Sequence, residues 1–71
     1  MQGGLTHQQL KALNFIKDYT RDTGGVSPTY QEIATGIGLS SKAGVHRIVN
    51  GLEARGRIAR SRFARSIMVL D

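Results

Sequence analysis

The chain has 71 residues, a net charge of +5 and no cysteine. A chain of this length folds as one domain with a single modest core, and the lack of cysteine excludes disulfides and thiolate chemistry. No apolar stretch approaches the roughly 20 residues that cross a bilayer, and the N-terminus lacks a signal-peptide segment. The sequence predicts one cytoplasmic domain over residues 1–71, with no membrane partner.

Positive charge is concentrated in the second half of the chain. Residues 1–39 carry three cations and three acidic residues, whereas residues 40–71 carry seven cations and two acidic residues. Six of those seven cations are arginines, which can bind phosphate in a bidentate manner. The first half is typical of a scaffold and the second of a surface that contacts a polyanion. A solvated basic face without a partner is the alternative.

We expect residues 1–4 to form a flexible tail, after which a first helix begins. Thr6 is an N-cap candidate, and Gln9 three residues later completes a capping box. The apolar residues that follow have helical spacing, and Gly24-Gly25 ends the helix. They are Ala12, Leu13, Phe15, Ile16 and Tyr19. We interpret the aromatic members of this stripe as core residues rather than as a ligand cage.

A second capping box, Thr29-Tyr30-Gln31-Glu32, follows the extended connector Val26-Ser27-Pro28 and opens a short helix that ends at Gly38. A third helix over residues 41–55 follows at once. Ser40 and Ser41 are its N-cap candidates, and Gly56 can end it in the left-handed conformation. One face of this helix is apolar, with Val45, Ile48, Val49 and Leu52. Two helices joined by a short turn that contains glycine indicate a helix-turn-helix.

The opposite face of the third helix is small and polar. It carries Ala43, Arg47 and Asn50, and Gly44, His46 and Gly51 flank them. Glycine inside a helix costs about 1 kcal/mol relative to alanine. The two glycines therefore point to the close approach of a partner's backbone, and the pattern indicates a helix that enters a groove.

After Gly56 the pattern changes to two short runs with strand character, 57–60 and 66–70, which we expect to pair as an antiparallel hairpin. Three of their apolar residues would face the helices, and four arginines would project from the strands and the loop. The apolar residues are Ile58, Ile67 and Val69, and the arginines are Arg57, Arg60, Arg62 and Arg65. The predicted fold is mainly α with a small β-hairpin: a winged helix-turn-helix of three helices and a two-stranded antiparallel wing.

Four motifs, LT-x-x-Q, PT-x-x-EIA, Gly-Leu-x-Ser and L-E-x-R-G-x-I, occur in this order along the chain. Together they resemble the N-terminal DNA-binding domain of the LexA-type repressors, over residues 5 to about 69. The resemblance implies a domain that binds one operator half-site, represses transcription and takes part in the SOS response. Family members continue into a C-terminal domain that dimerises and cleaves the chain with a Ser-Lys dyad. No such pair can be assigned here, so we expect no self-cleavage, and we interpret the chain as an excised domain or a small standalone regulator.

In that family, specificity comes from the start and outer face of the third helix, which correspond here to Ser41, Ala43, Gly44, His46 and Arg47. Some members carry acidic residues where this chain has His46 and Arg47, so operator sequences do not transfer between branches.

Candidate base-reading residues are these five and Asn50. Arg47 is preferred because arginine bound to guanine is the commonest specific contact in the major groove; its alternative is a pair with Glu53 or a phosphate. Asn50 could read adenine or bind a phosphate. His46 could contact a base or the backbone, or be a surface histidine. Gly44 either allows groove approach or is a tolerated defect at the helix start.

Candidates for contact with the DNA backbone lie at the start of the second and third helices and in the wing. They are Thr29, Lys42, Arg60, Arg62 and Arg65. A helix N-terminus, such as that at Lys42, favours phosphate, and the wing arginines suit phosphates or the minor groove. Phe63, at the predicted wing tip, either folds back on the core or touches a sugar.

The leading hypothesis is sequence-specific binding of double-stranded DNA by a transcriptional repressor. Helix 41–55 would occupy the major groove, and wing 57–66 would lie on the phosphate backbone or in the minor groove. Because one small domain buries little surface, we expect two copies per operator. A protein-interaction module that binds a larger regulator is the alternative. Without a nucleophile–base pair, a metal cluster or a phosphate loop, we expect no enzyme activity, no cofactor and no metal.

Overall fold

The structure is a computed structural model that describes residues 4–60 and 67–70. Its elements are helices α1 (His7–Asp22), α2 (Tyr30–Ile37) and α3 (Lys42–Ala54), followed by strands β1 (Ile58–Arg60) and β2 (Ile67–Val69). The strands pair antiparallel, with Ile58 opposite Val69 and Arg60 opposite Ile67. This arrangement confirms the predicted winged helix-turn-helix. Most of the predicted tail, together with Arg62, Phe63 and Arg65 of the wing, lies outside the described residues.

Side-chain caps begin all three helices at the predicted places. Thr6 Oγ1 accepts from the Gln9 amide at 3.1 Å, while Gln9 Oε1 accepts from the Thr6 amide at 2.9 Å. Thr29 and Glu32 form the same reciprocal pair at 3.1 and 2.7 Å. At α3, Ser41 Oγ accepts from the Gly44 amide at 3.3 Å. These bonds satisfy amide groups that would otherwise lack a partner in the first helical turn.

A glycine in the left-handed region ends each helix. Gly24, Gly38 and Gly56 have φ values of 72°, 80° and 74°. The amide of the following residue then bonds to the carbonyl five positions earlier, at 2.8, 2.8 and 3.0 Å respectively. This is the Schellman pattern, and it suits glycine because side chains disfavour positive φ. The glycines thus set the points at which the chain turns back over its core.

One core holds the helices and the hairpin together. Its buried residues come from every element and are Ala12, Leu13, Ile16, Ile33, Ala34, Ile37, Val45, Val49, Leu52, Ile58 and Ile67. Phe15, Ile48 and Val69 are half-buried and pack against it. Because α3 contributes Val45, Val49 and Leu52, its opposite side is turned to solvent. In the part of the chain that the structure describes, no helix is long and apolar enough to cross a membrane.

Neighbouring side chains explain two glycines inside the helices. A Cβ atom at Gly36 of α2 would overlap the Phe15 ring, and one at Gly51 of α3 would overlap the amide nitrogen of Gln9. Gln9 is held in place because it completes the capping box of α1. The small size of Gly51, which suggested the approach of a partner's backbone, therefore has a reason within the fold.

We predict that Gly36→Ala destabilises the domain even though alanine is the better helix former. Overpacking against the Phe15 ring costs about 1–3 kcal/mol, against roughly 1 kcal/mol gained in helix propensity. Urea denaturation of Gly36→Ala, Phe15→Ala and the double variant tests this. In the Phe15→Ala background the alanine at position 36 should stabilise by up to about 1 kcal/mol. A stability gain in the unaltered background would contradict the predicted overlap.

Candidate nucleic-acid interface

Most of the predicted base-reading residues share one exposed surface, which we call the α3 outer face. Ser41, Ala43, His46, Arg47 and Asn50 are exposed, and Gly44 is half-buried. This arrangement follows from the helical period, since the buried Val45, Val49 and Leu52 occupy the other side. The structure therefore exposes four candidates on α3 and Ser41 at its N-cap, whereas Gly44 is half-buried.

Arg47 makes no hydrogen bond or ion pair with residues 4–60 or 67–70. Its predicted alternative partner, Glu53, is bound instead to Arg60, with 2.6 Å between Arg60 Nη2 and Glu53 Oε1. An unpaired guanidinium keeps all its donors available to a ligand. The structure therefore does not contain the predicted pair of Arg47 with Glu53, and contact of Arg47 with a base or with a phosphate stays a prediction.

At the start of α3, the predicted contacts have different environments. Lys42 is exposed and has no partner within the described ranges, so its ammonium can reach an anion beside the helix N-terminus. The oxygen of Ser41 already caps the helix, which leaves its hydroxyl proton to donate. A Cβ atom at Gly44 would lie 3.3 Å from Leu39 Cδ1, so glycine there also relieves packing in the turn.

Tyr30, in the first turn of α2, positions His46. The two rings meet edge to face, with centroids 4.4 Å apart and planes at 76°. Such a pair is an ordinary favourable aromatic geometry. Sequence reasoning treated Tyr30 only as part of a capping box and missed this contact, because it joins two helices.

Thr29, a predicted backbone contact, is half-buried at the N-cap of α2. Its oxygen accepts from the Glu32 amide at 3.1 Å. As with Ser41, the hydroxyl hydrogen can still be donated. Thr29 can therefore cap α2 through its oxygen and donate a hydrogen bond to an anion through its hydroxyl hydrogen.

Arg60 does not project from the wing as predicted. It shares the inner side of the hairpin with Ile58, because residues two apart on a strand point the same way. Its guanidinium donates to Glu53 Oε1 from Nε at 3.2 Å and from Nη2 at 2.6 Å. It also donates to the Tyr30 hydroxyl at 2.6 Å and to Asn50 Oδ1 at 2.7 Å.

The hydrogen bonds to Glu53 and Tyr30 raise the pKa of Arg60, so the group remains charged. With its side chain only 25% exposed, Arg60 connects the wing to both helices of the helix-turn-helix. The strand alternation set by Ile58 was the signal that could have located it.

A buried hydrogen bond fixes the second wing strand. Ser27 Oγ accepts from the Ile67 amide at 3.2 Å, and Ser27 is the buried polar residue of the connector before α2. The bond joins positions 40 residues apart. No local pattern around Ser27 predicted this contact.

Among the described residues, no group of three or more His, Asp or Glu side chains is arranged to hold a metal ion. The exposed α3 outer face carries the Arg47 guanidinium, which has no partner within residues 4–60 and 67–70, and amide and hydroxyl donors, so it can donate hydrogen bonds to an anion or to base edges. Together with the three-helix core and the hairpin, it defines the molecule as a winged helix-turn-helix DNA-binding domain.

Residues 1–65 match the family described as the LexA DNA binding domain, and the chain belongs to this family. The LexA repressor of Koribacter versatilis is 45% identical over 67 residues, which cover 93% of this chain and 31% of that protein. The LexA repressor of Paramagnetospirillum magneticum is 45% identical over 56 residues, covering 79% of this chain and 23% of that protein. The LexA repressor of Carboxydothermus hydrogenoformans is 42% identical over 57 residues, covering 80% of this chain and 28% of that protein. The chain thus spans between 23% and 31% of the length of these relatives.

We predict that Ser27→Ala loosens the wing. The buried Ile67 amide would lose its acceptor, which costs about 1–3 kcal/mol of stability. Urea denaturation measures the loss, and hydrogen exchange at the Ile67 amide should become faster. Ser40→Ala, an exposed serine in the turn before α3, is the matched control and should leave both unchanged. Unaltered exchange at Ile67 in Ser27→Ala would show that this bond does not hold the strand.

Proposed function

We propose that this chain binds a specific double-stranded DNA operator and acts there as a transcriptional repressor. In this proposal α3 occupies the major groove, and the wing lies on the phosphate backbone or in the minor groove. The observation that carries the proposal is the exposed guanidinium of Arg47 at the middle of the α3 outer face, which has no partner among the residues that the structure describes.

The shape and chemistry of α3 support this placement. The major groove is about 12 Å wide and admits a helix. Small residues, Ala43 and Gly44, occupy the first turn and allow close approach, and Ala43 could contact a thymine methyl group. Arg47 then supplies donors for guanine one turn further along.

Backbone contacts would hold α3 in register. Lys42 and Thr29 lie at the starts of α3 and α2, where helix N-termini favour phosphate. We include Arg62 and Arg65 as wing contacts on the basis of the sequence. For Arg60, which bridges Glu53 and Tyr30, a phosphate contact would compete with bonds already formed.

We further propose that two copies bind one operator, because a single domain of this size buries too little surface for tight binding. The relatives are named LexA repressors, which supports placing the proposed repression in the SOS response, in the cytoplasm. The activity proposed for this chain is binding alone, with no catalytic step.

We predict that Arg47→Ala lowers operator affinity by about 1–3 kcal/mol and weakens discrimination at one base pair. An operator selected from random duplexes, followed by titration of every single-base variant, measures both effects. Arg21→Ala removes the same charge from an exposed site on α1, where Arg21 pairs with Asp18, and should change neither. An equal loss of affinity for selected and random DNA in Arg47→Ala would show that Arg47 does not read a base.

Salt dependence should separate the backbone contacts from base reading. If each domain neutralises three to five phosphates, the slope of log K against log salt is about −3 to −4.5. Lys42→Ala should reduce the magnitude of that slope by about 0.9 and weaken binding equally on all sequences. A salt-insensitive complex with a protein, and no DNA shift at low salt, would favour the interaction-module alternative.

A further inference from the structure

Arg60 donates a hydrogen bond to a residue on the α3 outer face. Arg60 Nη2 donates to Asn50 Oδ1 at 2.7 Å, and the rest of the guanidinium is held by Glu53 and Tyr30. Asn50 is exposed, whereas the Arg60 side chain is only 25% exposed. A fixed, half-buried cation therefore touches one end of an exposed amide.

The chemistry of these two groups determines which end of the amide that is. A guanidinium has five donors and no acceptor, so it can face only the oxygen of Asn50. The bond is charge-assisted and is among the stronger hydrogen bonds in proteins. Because oxygen and nitrogen lie on opposite sides of the amide carbon, the NH₂ group is turned away from Arg60.

Resting on the proposed function, we propose that Arg60 sets the base preference of Asn50 without touching DNA. When asparagine reads adenine, its NH₂ donates to N7 while its oxygen accepts from N6. In this chain one of the two lone pairs of that oxygen already accepts from the Arg60 cation, which weakens the oxygen as an acceptor for N6. Asn50 thus enters the major groove mainly as a donor, through the NH₂ group turned away from Arg60, and Arg60 is a positioning residue for specificity.

An amide that acts mainly as a donor favours base edges that offer acceptors. Guanine presents two neighbouring acceptors, N7 and O6, thymine presents O4, and cytosine presents a donor. Asn50 should therefore favour guanine first and thymine second, disfavour cytosine, and gain less from a bidentate contact with adenine than a free asparagine would. This preference differs from both alternatives that the sequence left open for Asn50, which were reading adenine and binding a phosphate.

The test begins with the unaltered chain and Asn50→Ala on the selected operator. The position at which Asn50→Ala loses discrimination is the position that Asn50 reads. Duplexes with each of the four base pairs at that position are then compared by their dissociation constants. The unaltered chain should bind guanine more tightly than adenine there. Adenine as the preferred base, or no single position affected by Asn50→Ala, would overturn the proposal.

Arg60→Met tests the positioning role directly, because it retains the apolar stem and removes every donor. The freed amide should shift the preference from guanine toward adenine by a factor on the order of ten. Tyr30→Phe is the matched control: it removes one bond to the same guanidinium, keeps the ring that packs on His46, and leaves the bond between Arg60 and Asn50. Its preference should not change.

A uniform loss of affinity in Arg60→Met, with unchanged preference, would assign Arg60 a structural role only and overturn the proposal. If Arg60→Met fails to fold, the four-duplex comparison with the unaltered chain decides by itself. Failure of the proposed function is distinguishable, because the unaltered chain would then bind selected and random duplexes equally.

Discussion

The burial of Val45, Val49 and Leu52 is the constraint on which the rest of the structure depends. A chain of 71 residues has one core, and these three side chains anchor α3 in it against both other helices and the hairpin. Because a helix presents its residues at fixed angles, burying these three leaves Ala43, Arg47 and Asn50 on the far side. The candidate interface is thus a consequence of core packing.

Local chemistry made most of the fold predictable. The capping boxes at Thr6 and Thr29 and the glycines at positions 24, 38 and 56 are short-range signals, and the structure has each of them in the expected role. The residues exposed on α3 could be predicted equally well, because the helical period alone determines which side of the helix they occupy. Whether those residues read bases remains a prediction.

Contacts between distant elements were not predictable in the same way. Ser27 accepts a hydrogen bond from Ile67, and Tyr30 packs on His46. The partners in each pair are far apart in sequence, so local sequence patterns do not predict these contacts. Arg60 was assigned to solvent because it belongs to a basic run, although its spacing from Ile58 places it inward. The basic composition suggested an exposed side chain, because burying an unpaired charge is costly. Arg60 is half-buried instead because a carboxylate, a phenol and an amide all accept hydrogen bonds from it.

The α3 outer face contains two kinds of position, which affects how such a domain can evolve new specificity. Ala43 and Arg47 have no side-chain hydrogen bond or ion pair within the described ranges, so substitutions there break no such contact with the scaffold. His46 and Asn50 are tied to Tyr30 and Arg60, which lie on other elements. A new DNA specificity that arises through Ala43 or Arg47 needs one substitution. One that arises through His46 or Asn50 requires compensating substitutions on α2 or the wing. Divergence between related domains should therefore be independent at some positions and correlated at others.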